Sequence, residues 1–329
     1  MTAADDTARL CAVMVTFNRL EQLRTSLPRL LAEVPGTVLL VDNASTDGTA
    51  DWLAGFHHPR LRPLRLPENL GGAGGFEQGM QALAASEDPD WILLLDDDAW
   101  PQPGLAAAFA ETVPALPADT GAVAGAVFLP GGAISEMNRP GWNPFWYPAK
   151  IWSTLTSGSR AGFKLPDACY TPDAGLVEVD NASFVGYLVS RRARQRVGLP
   201  EGGLFIYGDD VLYSLRLRRA GMKLVFAPGL RFTHDCTSLD GDFVYRPLWK
   251  VYYTCRNGVA IARQAAGPVV FPLALVWYLM LWWRRGQRCQ PAERPVYRRM
   301  MWQGIRDGLR SRRGRKPEVH DMVAAVEIR

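Results

Sequence analysis

The first hundred residues alternate short apolar runs with amphipathic segments, a pattern that few folds can accommodate. The runs at residues 11–17 and 91–95 are predicted strands, and residues 18–33 carry leucines at helical spacing. We expect Asn18 to cap that helix and Pro28 to kink or break it. Because predicted strands alternate with predicted helices, the sequence indicates a parallel sheet in a three-layer α/β arrangement.

Polar residues stand at the ends of these predicted strands. The set comprises Thr16 and Arg19 after the first strand, Asp42 after the second, and Asp96, Asp97 and Asp98 after a later one. In open parallel sheets, ligands bind at this edge. Three like charges destabilise one another unless a cation or strong donors neutralise them, and a solvated acidic turn is the simpler alternative. Carboxylates on a short turn suit Mg²⁺ or Mn²⁺, which can neutralise a diphosphate.

The second half of the chain is less regular. Residues 138–173 are rich in proline, glycine and aromatic residues and predict a long ordered loop or lid. Residues 176–191 predict two strands or one bent strand. Residues 208–221 predict a helix, because acids lie at its start, arginines near its end and glycine after it. A last strand is predicted at residues 222–234.

The composition changes from about residue 249. Residues 264–283 are uncharged, and their length is within the range of a membrane span. Two prolines and clustered tryptophans favour an interfacial or re-entrant helix, with burial against a partner subunit as the alternative. Residues 284–316 carry twelve Arg or Lys against two acids in a chain of net charge +4. This basic region predicts an anionic membrane surface as partner, and we find no nucleic-acid-binding motif.

Six stretches, in this order, resemble glycosyltransferase family 2, the inverting nucleotide-sugar transferases of the GT-A fold. They are VTFNR, VDNASTDGT, NLGGAGGF, LLLDDDA, GLFIYGDDVLYSLRLRRAG and FTH. The resemblance covers about residues 10–258. It implies a catalytic domain over residues 1–248, built on a mixed, mainly parallel sheet flanked by helices. Residues 249–329 would form a helical, membrane-associating extension.

The resemblance also implies roles for individual residues. The donor-binding set would be Thr16, Arg19, Asp42, Asn69, Gly71, Gly75, Asp96 and Asp97, with Asp42 accepting from the base and the glycines letting backbone approach the nucleotide. Asp96, Asp98 and His234 would hold Mn²⁺ or Mg²⁺. Asp210 would be the base that deprotonates the acceptor, with Asp209 orienting it. The alternatives are a structural histidine, a tight strand-to-helix turn at the glycines, and acids that only cap the following helix.

The same motifs look most like the bacterial galactofuranosyltransferase and rhamnosyltransferase branches. The implied donor is UDP-galactofuranose, with dTDP-rhamnose next, and the implied acceptor is a polyprenyl-diphosphate-linked glycan at the cytoplasmic face of the membrane. Candidate acceptor contacts are Trp142, Trp146, Tyr147 and Trp152, which would otherwise be lid core, and Arg256 for a lipid diphosphate.

The sequence leaves two alternative functions, a sugar nucleotidyltransferase and a non-catalytic membrane-bound scaffold. A sugar nucleotidyltransferase would normally carry a glycine-rich, basic signature after the first strand, which the chain lacks. A non-catalytic membrane-bound scaffold fits poorly with the intact acidic set. The scattered cysteines predict free thiols in a reducing cytoplasm, and the polar N-terminus predicts no secretory signal. A homo-oligomer through the apolar segment stays open.

Overall fold

The computed structural model describes residues 8–157, 161–171, 173–236 and 246–327. Within these residues, nine strands form one mixed sheet. The strands are β1 (Leu10–Thr16), β2 (Val38–Asp42), β3 (Leu61–Arg65), β4 (Trp91–Asp96), β5 (Ala99–Pro101), β6 (Thr120–Phe128), β7 (Val177–Val179), β8 (Tyr187–Ser190) and β9 (Lys223–His234). The helices are α1 (Leu20–Glu33), α2 (Thr49–Gly55), α3 (Gly71–Ser86), α4 (Leu105–Ala115), α5 (Pro148–Ser157), α6 (Arg191–Val197), α7 (Asp209–Arg219), α8 (Trp249–Gln287), α9 (Arg294–Leu309) and α10 (Pro317–Glu327).

The sheet has the order β3-β2-β1-β4-β8-β6-β9-β5, and β7 pairs with β9. Strands β1 to β4 are parallel, and β6 is parallel to β9, whereas β8 is antiparallel to both its neighbours. The register sets Thr16 opposite Asp42 and Val15 opposite Asp96. The carboxyl ends of β1, β2 and β4 therefore meet at one edge. The predicted mixed sheet is confirmed, although among the described strands four pairs are parallel and four are antiparallel, so the sheet is not mainly parallel.

Apolar residues cover both faces of the sheet. Helix α3 buries Phe76, Met80 and Leu83 on one face. Helix α1 buries Leu23 and Leu27 on the other, because leucines three or four positions apart share one side of a helix. Each such fully buried side chain stabilises the fold by about 1.5–3 kcal/mol relative to an exposed one.

Three local expectations were wrong. Asn18 does not cap α1: it has a positive φ and accepts from the amide of Thr46, while Asp47 accepts from the amide of Leu20 at 2.9 Å. Pro28 lies inside α1, which continues to Glu33, so it does not break the helix. The predicted loop at residues 138–173 contains helix α5 and the 3₁₀ turns Pro144–Trp146, Ala161–Phe163 and Asp167–Tyr170, so part of this segment is helical.

Helix α8 contains one residue with non-helical backbone angles, Gly267 (φ 71°, ψ 172°), followed directly by Pro268. Before this break, α8 is largely buried against the sheet domain and α9; after it, a set of apolar side chains remains exposed. By length and composition, α8 could cross a membrane. We call the exposed set the apolar stripe; it comprises Val269, Leu273, Val276, Trp277, Met280 and Trp283. All five cysteines are free thiols.

Candidate active site

Three potential metal ligands converge at the sheet edge. Asp96 ends β4, Asp98 follows two positions later, and His234 ends β9, where its backbone pairs with Ala99. The ligand atoms of Asp96, Asp98 and His234 lie within 4.8 Å of one another, and His234 Nε2 is 3.0 Å from Asp98 Oδ1. Two carboxylates and one imidazole nitrogen form a donor set that fits Mn²⁺, and less specifically Mg²⁺.

The imidazole of His234 is oriented by a residue that sequence reasoning missed. Its Nδ1 lies 2.8 Å from Oδ1 of Asn138. Asn138 also accepts from Ser135 Oγ at 2.6 Å and donates to Ser183 Oγ at 2.9 Å, which fixes its amide orientation. Because an amide oxygen only accepts, Nδ1 must carry the proton. Nε2 faces the acidic side of the site, where it donates to Asp98 Oδ1; a metal ion bound there would take the place of this Nε2 proton.

The middle aspartate of the triple has a different environment. Asp97 Oδ2 accepts from Thr16 Oγ1 at 2.7 Å, and Arg19 lies 3.3 Å from Asp97 Oδ1 while also pairing with Asp98. Burial raises the pKa of Asp97 to about 6, although Arg19 opposes this rise. Thr16 is only 1% exposed and its hydroxyl is held by Asp97, so it positions Asp97; a contact of Thr16 with the nucleotide stays a prediction.

The electrostatics of the triad favour a cation. Burial, then the charge of Asp98, raises the pKa of Asp96 to about 7. For Asp98, burial is outweighed by the hydrogen bond from His234 and by Arg19, and the pKa is lowered. A cavity of about 200 Å³ opens beside Asp98, lined also by Trp100 and Asp235. A divalent ion would stabilise this arrangement, because several buried, negatively charged carboxylates lie beside an opening.

Asp42 carries an unsatisfied acceptor. Its side chain is 1% exposed, and Oδ1 accepts from the amide of Ser45 at 2.8 Å. In the part of the chain that the structure describes, Oδ2 has no hydrogen-bond partner, and the nearest guanidinium nitrogen of Arg65 is 3.8 Å away. Because leaving a buried acceptor unpaired costs about 1–3 kcal/mol, this oxygen is a candidate to receive a ligand N–H.

The glycine-rich segment proved to be helix rather than a turn. It forms the first turns of α3, and Asn69 Oδ1 accepts from the amide of Gly71, the first residue of the helix, at 2.7 Å. A Cβ on Gly71, which has φ 71°, would lie 2.0 Å from the carbonyl oxygen of Phe205, and one on Gly75 would lie 2.4 Å from Val15. Protein atoms fill both positions. The packing of α3 accounts for both glycines, and the expectation that Asn69, Gly71 and Gly75 bind the donor stays a prediction.

The second acidic pair begins α7. Asp209 and Asp210 lie in its first turn, after Gly208, and Asp210 Oδ1 accepts from the amide of Val211 at 2.7 Å. Burial, then the charges of Asp210 and Asp96, raises the pKa of Asp209 to about 8. Burial raises the pKa of Asp210 to about 6, against the hydrogen bond from Val211. At pH 7, Asp209 is therefore mainly protonated and Asp210 mainly charged.

The loop before these acids is strained and is held by the start of α8. Phe205 and Tyr207 both have positive φ, a conformation that costs about 1–3 kcal/mol for a non-glycine residue. The Asn257 amide donates to the carbonyls of Leu204, Ile206 and Tyr207 at 3.1, 2.7 and 2.8 Å. Strain of this kind persists only where the surroundings over-determine it, and Asn257 supplies that constraint.

Arg256 is a structural residue. It is 1% exposed, and its guanidinium donates to the carbonyls of Leu204 and Gly314, both at 2.6 Å. It thereby joins the strained loop to the segment after α9. These contacts do not support the expected contact of Arg256 with a lipid diphosphate, because the guanidinium already donates to carbonyls of the chain.

The candidate acceptor aromatics differ in environment. Trp142 Nε1 donates to the Glu178 carbonyl, and the Lys150 ammonium lies 3.5 Å from its ring centroid, so one edge and one face are occupied. Tyr147 is half-buried and hydrogen-bonds to Asp180. Trp146 is also half-buried, whereas Trp152 is 70% exposed. Of this group, Trp152 has the most open surface for stacking.

Residues 11–164 match the model of the family described as glycosyl transferase family 2. Galactofuranosyltransferase GlfT1 of Mycolicibacterium smegmatis is 29% identical over 294 residues, which cover 83% of this chain and 90% of that protein. The N-acetylglucosaminyl-diphospho-decaprenol L-rhamnosyltransferase of Mycobacterium tuberculosis is 29% identical over 246 residues, covering 68% of this chain and 75% of that protein.

Two solved structures share the fold. GalNAc-T7, described with UDP, GalNAc and Mn²⁺, gives a TM-score of 0.53 at 14% identity, covering 92% of this chain and 58% of the other. Mannosyltransferase PcManGT from Pyrobaculum calidifontis, in complex with GDP-Man and Mn²⁺, gives 0.50 at 16% identity, covering 93% and 86%. The fold is that of GT-A glycosyltransferases, and the nucleotidyltransferase and scaffold alternatives lose their support. Residues 11–164 therefore form a glycosyltransferase family 2 domain, and the protein is a glycosyltransferase.

Proposed function

We propose that the protein is an inverting, metal-dependent glycosyltransferase that moves a sugar from a pyrimidine nucleotide to a lipid-linked glycan. Galactofuranose is the favoured sugar and rhamnose the next, because the named relatives are a galactofuranosyltransferase and a rhamnosyltransferase of a diphospho-decaprenol-linked sugar. The observation that carries the proposal is the convergence of Asp96, Asp98 and His234, whose ligand atoms lie within 4.8 Å of one another at the sheet edge. Asp96 is near enough to Asp209 for its charge to raise the pKa of Asp209.

Asp96, Asp98 and His234 are the residues that would hold Mn²⁺ or Mg²⁺. When bound there, the ion would neutralise negative charge on the diphosphate leaving group. Asn138 keeps the imidazole oriented toward this position. Arg19, which pairs with Asp97 and Asp98, is 39% exposed at its side chain and would be able to contact the donor phosphates.

Asp210 is the proposed base. Its carboxylate takes the proton of the acceptor hydroxyl while that oxygen bonds to the anomeric carbon and the bond from this carbon to the diphosphate breaks. The nucleoside diphosphate leaves with the bonding electrons, and attack from the opposite face inverts the anomeric centre. A pKa of about 6 suits this role, since Asp210 is then charged at neutral pH yet basic enough to accept a proton. Protonated Asp209 can donate a hydrogen bond that orients the acceptor.

The unsatisfied oxygen of Asp42 supports a pyrimidine donor. A carboxylate oxygen only accepts, and the uracil and thymine rings both carry an N3–H donor. Binding would pair the orphaned Oδ2 with that donor and remove the cost of burying it alone. Asp42 ends β2 at the same edge as Asp96, so one bound nucleotide could reach from Asp42 to the acidic triad.

The C-terminal region supports a membrane-borne acceptor. We propose residues 1–248 as the catalytic domain and 249–329 as a membrane-associating region at the cytoplasmic face. The apolar stripe is exposed and is followed by the basic residues between 284 and 316, and the two features combine insertion with attraction to anionic lipid. The first turns of α8 also hold the loop before Asp209. The helix that would attach the protein to the membrane therefore also supports the loop that leads to the proposed base.

The test is a donor screen by calorimetry with Mn²⁺, using UDP-galactofuranose, UDP-galactopyranose, UDP-glucose, dTDP-rhamnose and GDP-mannose, each repeated with chelator. We expect binding of one pyrimidine sugar that chelator abolishes, followed by transfer of that sugar to a polyprenyl-diphosphate-linked glycan. Preference for GDP-mannose, or binding that survives chelation, would contradict the proposal.

A further inference from the structure

A second cavity, of about 370 Å³, lies away from the acidic triad, where the end of α7 meets the break in α8. Three arginines line it, Arg219, Arg263 and Arg313, together with one acid, Glu201. Gly267 and Pro268 form part of its wall, so the apolar part of α8 begins at the cavity. The N-terminal end of this part, which is the positive end of its helix dipole, therefore lies at the cavity.

The three arginines differ in how many contacts their guanidinium groups make within the protein. Arg263 donates to the Leu309 carbonyl at 3.2 Å and to Ser311 Oγ at 3.0 Å, and Arg313 pairs with Glu201. Arg219 is exposed and has no ion pair or hydrogen bond through its side chain within the described ranges. With Glu201 counted against the arginines, the cavity keeps an excess of two positive charges and at least one guanidinium ready to bind an anion.

The cavity joins two functional regions of the molecule. Helix α7 runs from the proposed base, Asp210, to Arg219, a distance of about 13 Å at the usual helical rise. In the other direction, α8 continues from Pro268 into the apolar stripe, whose first member, Val269, is 88% exposed. An anion-binding cavity between a glycosyl-transfer site and an apolar surface matches the chemistry of a lipid with a charged diphosphate and an attached sugar.

We propose that this cavity binds the diphosphate of the lipid-linked acceptor, with Arg219 as its principal free ligand. The prenyl chain would lie along the apolar stripe, and the glycan would extend beside α7 toward Asp210. The excess of two positive charges complements the two negative charges of a diphosphate diester. This inference rests on the proposed function and specifies its acceptor site, because it assigns the diphosphate to a cavity distinct from the donor's.

The first test is binding of the full-length protein to phosphatidylcholine vesicles that contain a small fraction of polyprenyl diphosphate. Control vesicles contain phosphatidylglycerol at the same total charge, and inorganic diphosphate is added as competitor. We expect tighter binding to the polyprenyl diphosphate vesicles, reduced by inorganic diphosphate. Arg219→Ala should weaken that binding about tenfold, the amount expected for one charge-assisted contact. Arg299→Ala, which removes an exposed arginine of α9 outside the cavity, should leave it unchanged.

Equal binding of wild type to both kinds of vesicle would overturn the proposal, because the basic region would then respond to charge alone. Unchanged binding by Arg219→Ala would overturn it as well. Binding of the nucleotide sugar with Mn²⁺ separates this proposal from the proposed function. If the protein selects polyprenyl diphosphate but binds no nucleotide sugar, the role of the cavity is supported and the proposed reaction is contradicted. In transfer assays, Arg219→Ala should raise the KM for the lipid acceptor while leaving the affinity for donor unchanged.

Discussion

The Nδ1 atom of His234 lies 2.8 Å from Oδ1 of Asn138, and this contact determines which imidazole nitrogen faces Asp98. Asn138 is 96 residues away in the chain and lies outside every motif of the site. It acts as a positioning residue, because it touches His234 rather than any reacting group. Loss of such a partner typically lowers metal affinity about 10–100-fold.

We therefore expect Asn138→Ala to weaken Mn²⁺ binding by about tenfold or more, measured by calorimetry. Asn138→Asp keeps an acceptor for the Nδ1 proton and should restore most of the affinity. Ser183→Ala removes a partner of Asn138 without touching His234 and serves as the control. If Asn138→Ala and Asn138→Asp weaken the metal equally, the contact is only structural.

The second prediction concerns the pH dependence of transfer. Because burial raises the pKa of Asp210 to about 6, the charged form needed for proton abstraction is lost below that pH. We expect kcat to rise as pH increases through about 6 and then to level off. Asp210→Asn should abolish transfer while leaving metal-dependent donor binding intact. A rate that is independent of pH between 5 and 7, or turnover by Asp210→Asn, would remove Asp210 as the base.

The third prediction concerns the cost of burying Asp209. Its pKa is raised from about 3.8 to about 8, so the folded state retains a proton that the unfolded chain releases in this window. Stability should therefore fall as pH rises from 4 to 8. Asp209→Asn removes this penalty. The difference in free energy of unfolding between the variant and wild type should therefore be larger at pH 8 than at pH 4, by on the order of 2 kcal/mol in favour of the variant. Denaturant unfolding in chelator measures the difference, and a gain that does not change with pH would contradict the assignment.

The strands and the edge at which they end were predictable because both are local properties of the chain. Apolar runs identify β1, β2 and β4, and parallel pairing then brings Asp42 and Asp96 to one edge. The convergence of His234 was expected only from the family resemblance. In the structure, its cause is the short antiparallel pairing of Ala99 with His234, which no local pattern indicates.

What could not be predicted depends on contacts between residues far apart in sequence. Gly75 suggests a flexible turn in isolation, but in the fold it lets α3 approach Val15. Arg256 suggests an anion ligand in a basic, apolar region, yet its guanidinium is used up by carbonyls of two distant segments. In sequence, Arg219 indicates only the end of a helix; its position in a cavity depends on the fold, which places the end of α7 beside the break at Gly267.

The fourth prediction concerns recognition of the base. In Asp42→Asn, an amide replaces the carboxylate, and an N–H group can then face the ligand where an acceptor stood. We expect the affinity for UDP to fall about tenfold or more, with a smaller loss for CDP, whose N3 is an acceptor. Calorimetry with the two nucleotides and Mn²⁺ measures the ratio. Arg62→Ala, which removes an exposed arginine of β3 that donates only to nearby carbonyls, is the control and should leave both affinities unchanged; equal losses for UDP and CDP in Asp42→Asn would exclude a direct contact with the base.

The last prediction tests the apolar stripe. Val269 and Leu273 are 88% and 74% exposed, so replacing both with glutamate should leave the fold intact while placing two charges where lipid is expected. A charge in an apolar bilayer environment costs about 2.5–3.5 kcal/mol, and the double variant should move from the membrane fraction to the soluble one on sedimentation with vesicles. The matched control places two glutamates at the same spacing on an exposed face of α4, by Ala106→Glu with Ala110→Glu. If both double variants sediment with vesicles as wild type does, the apolar stripe contacts something other than lipid. The next candidate is then a second copy of the chain, tested by measuring the oligomeric state.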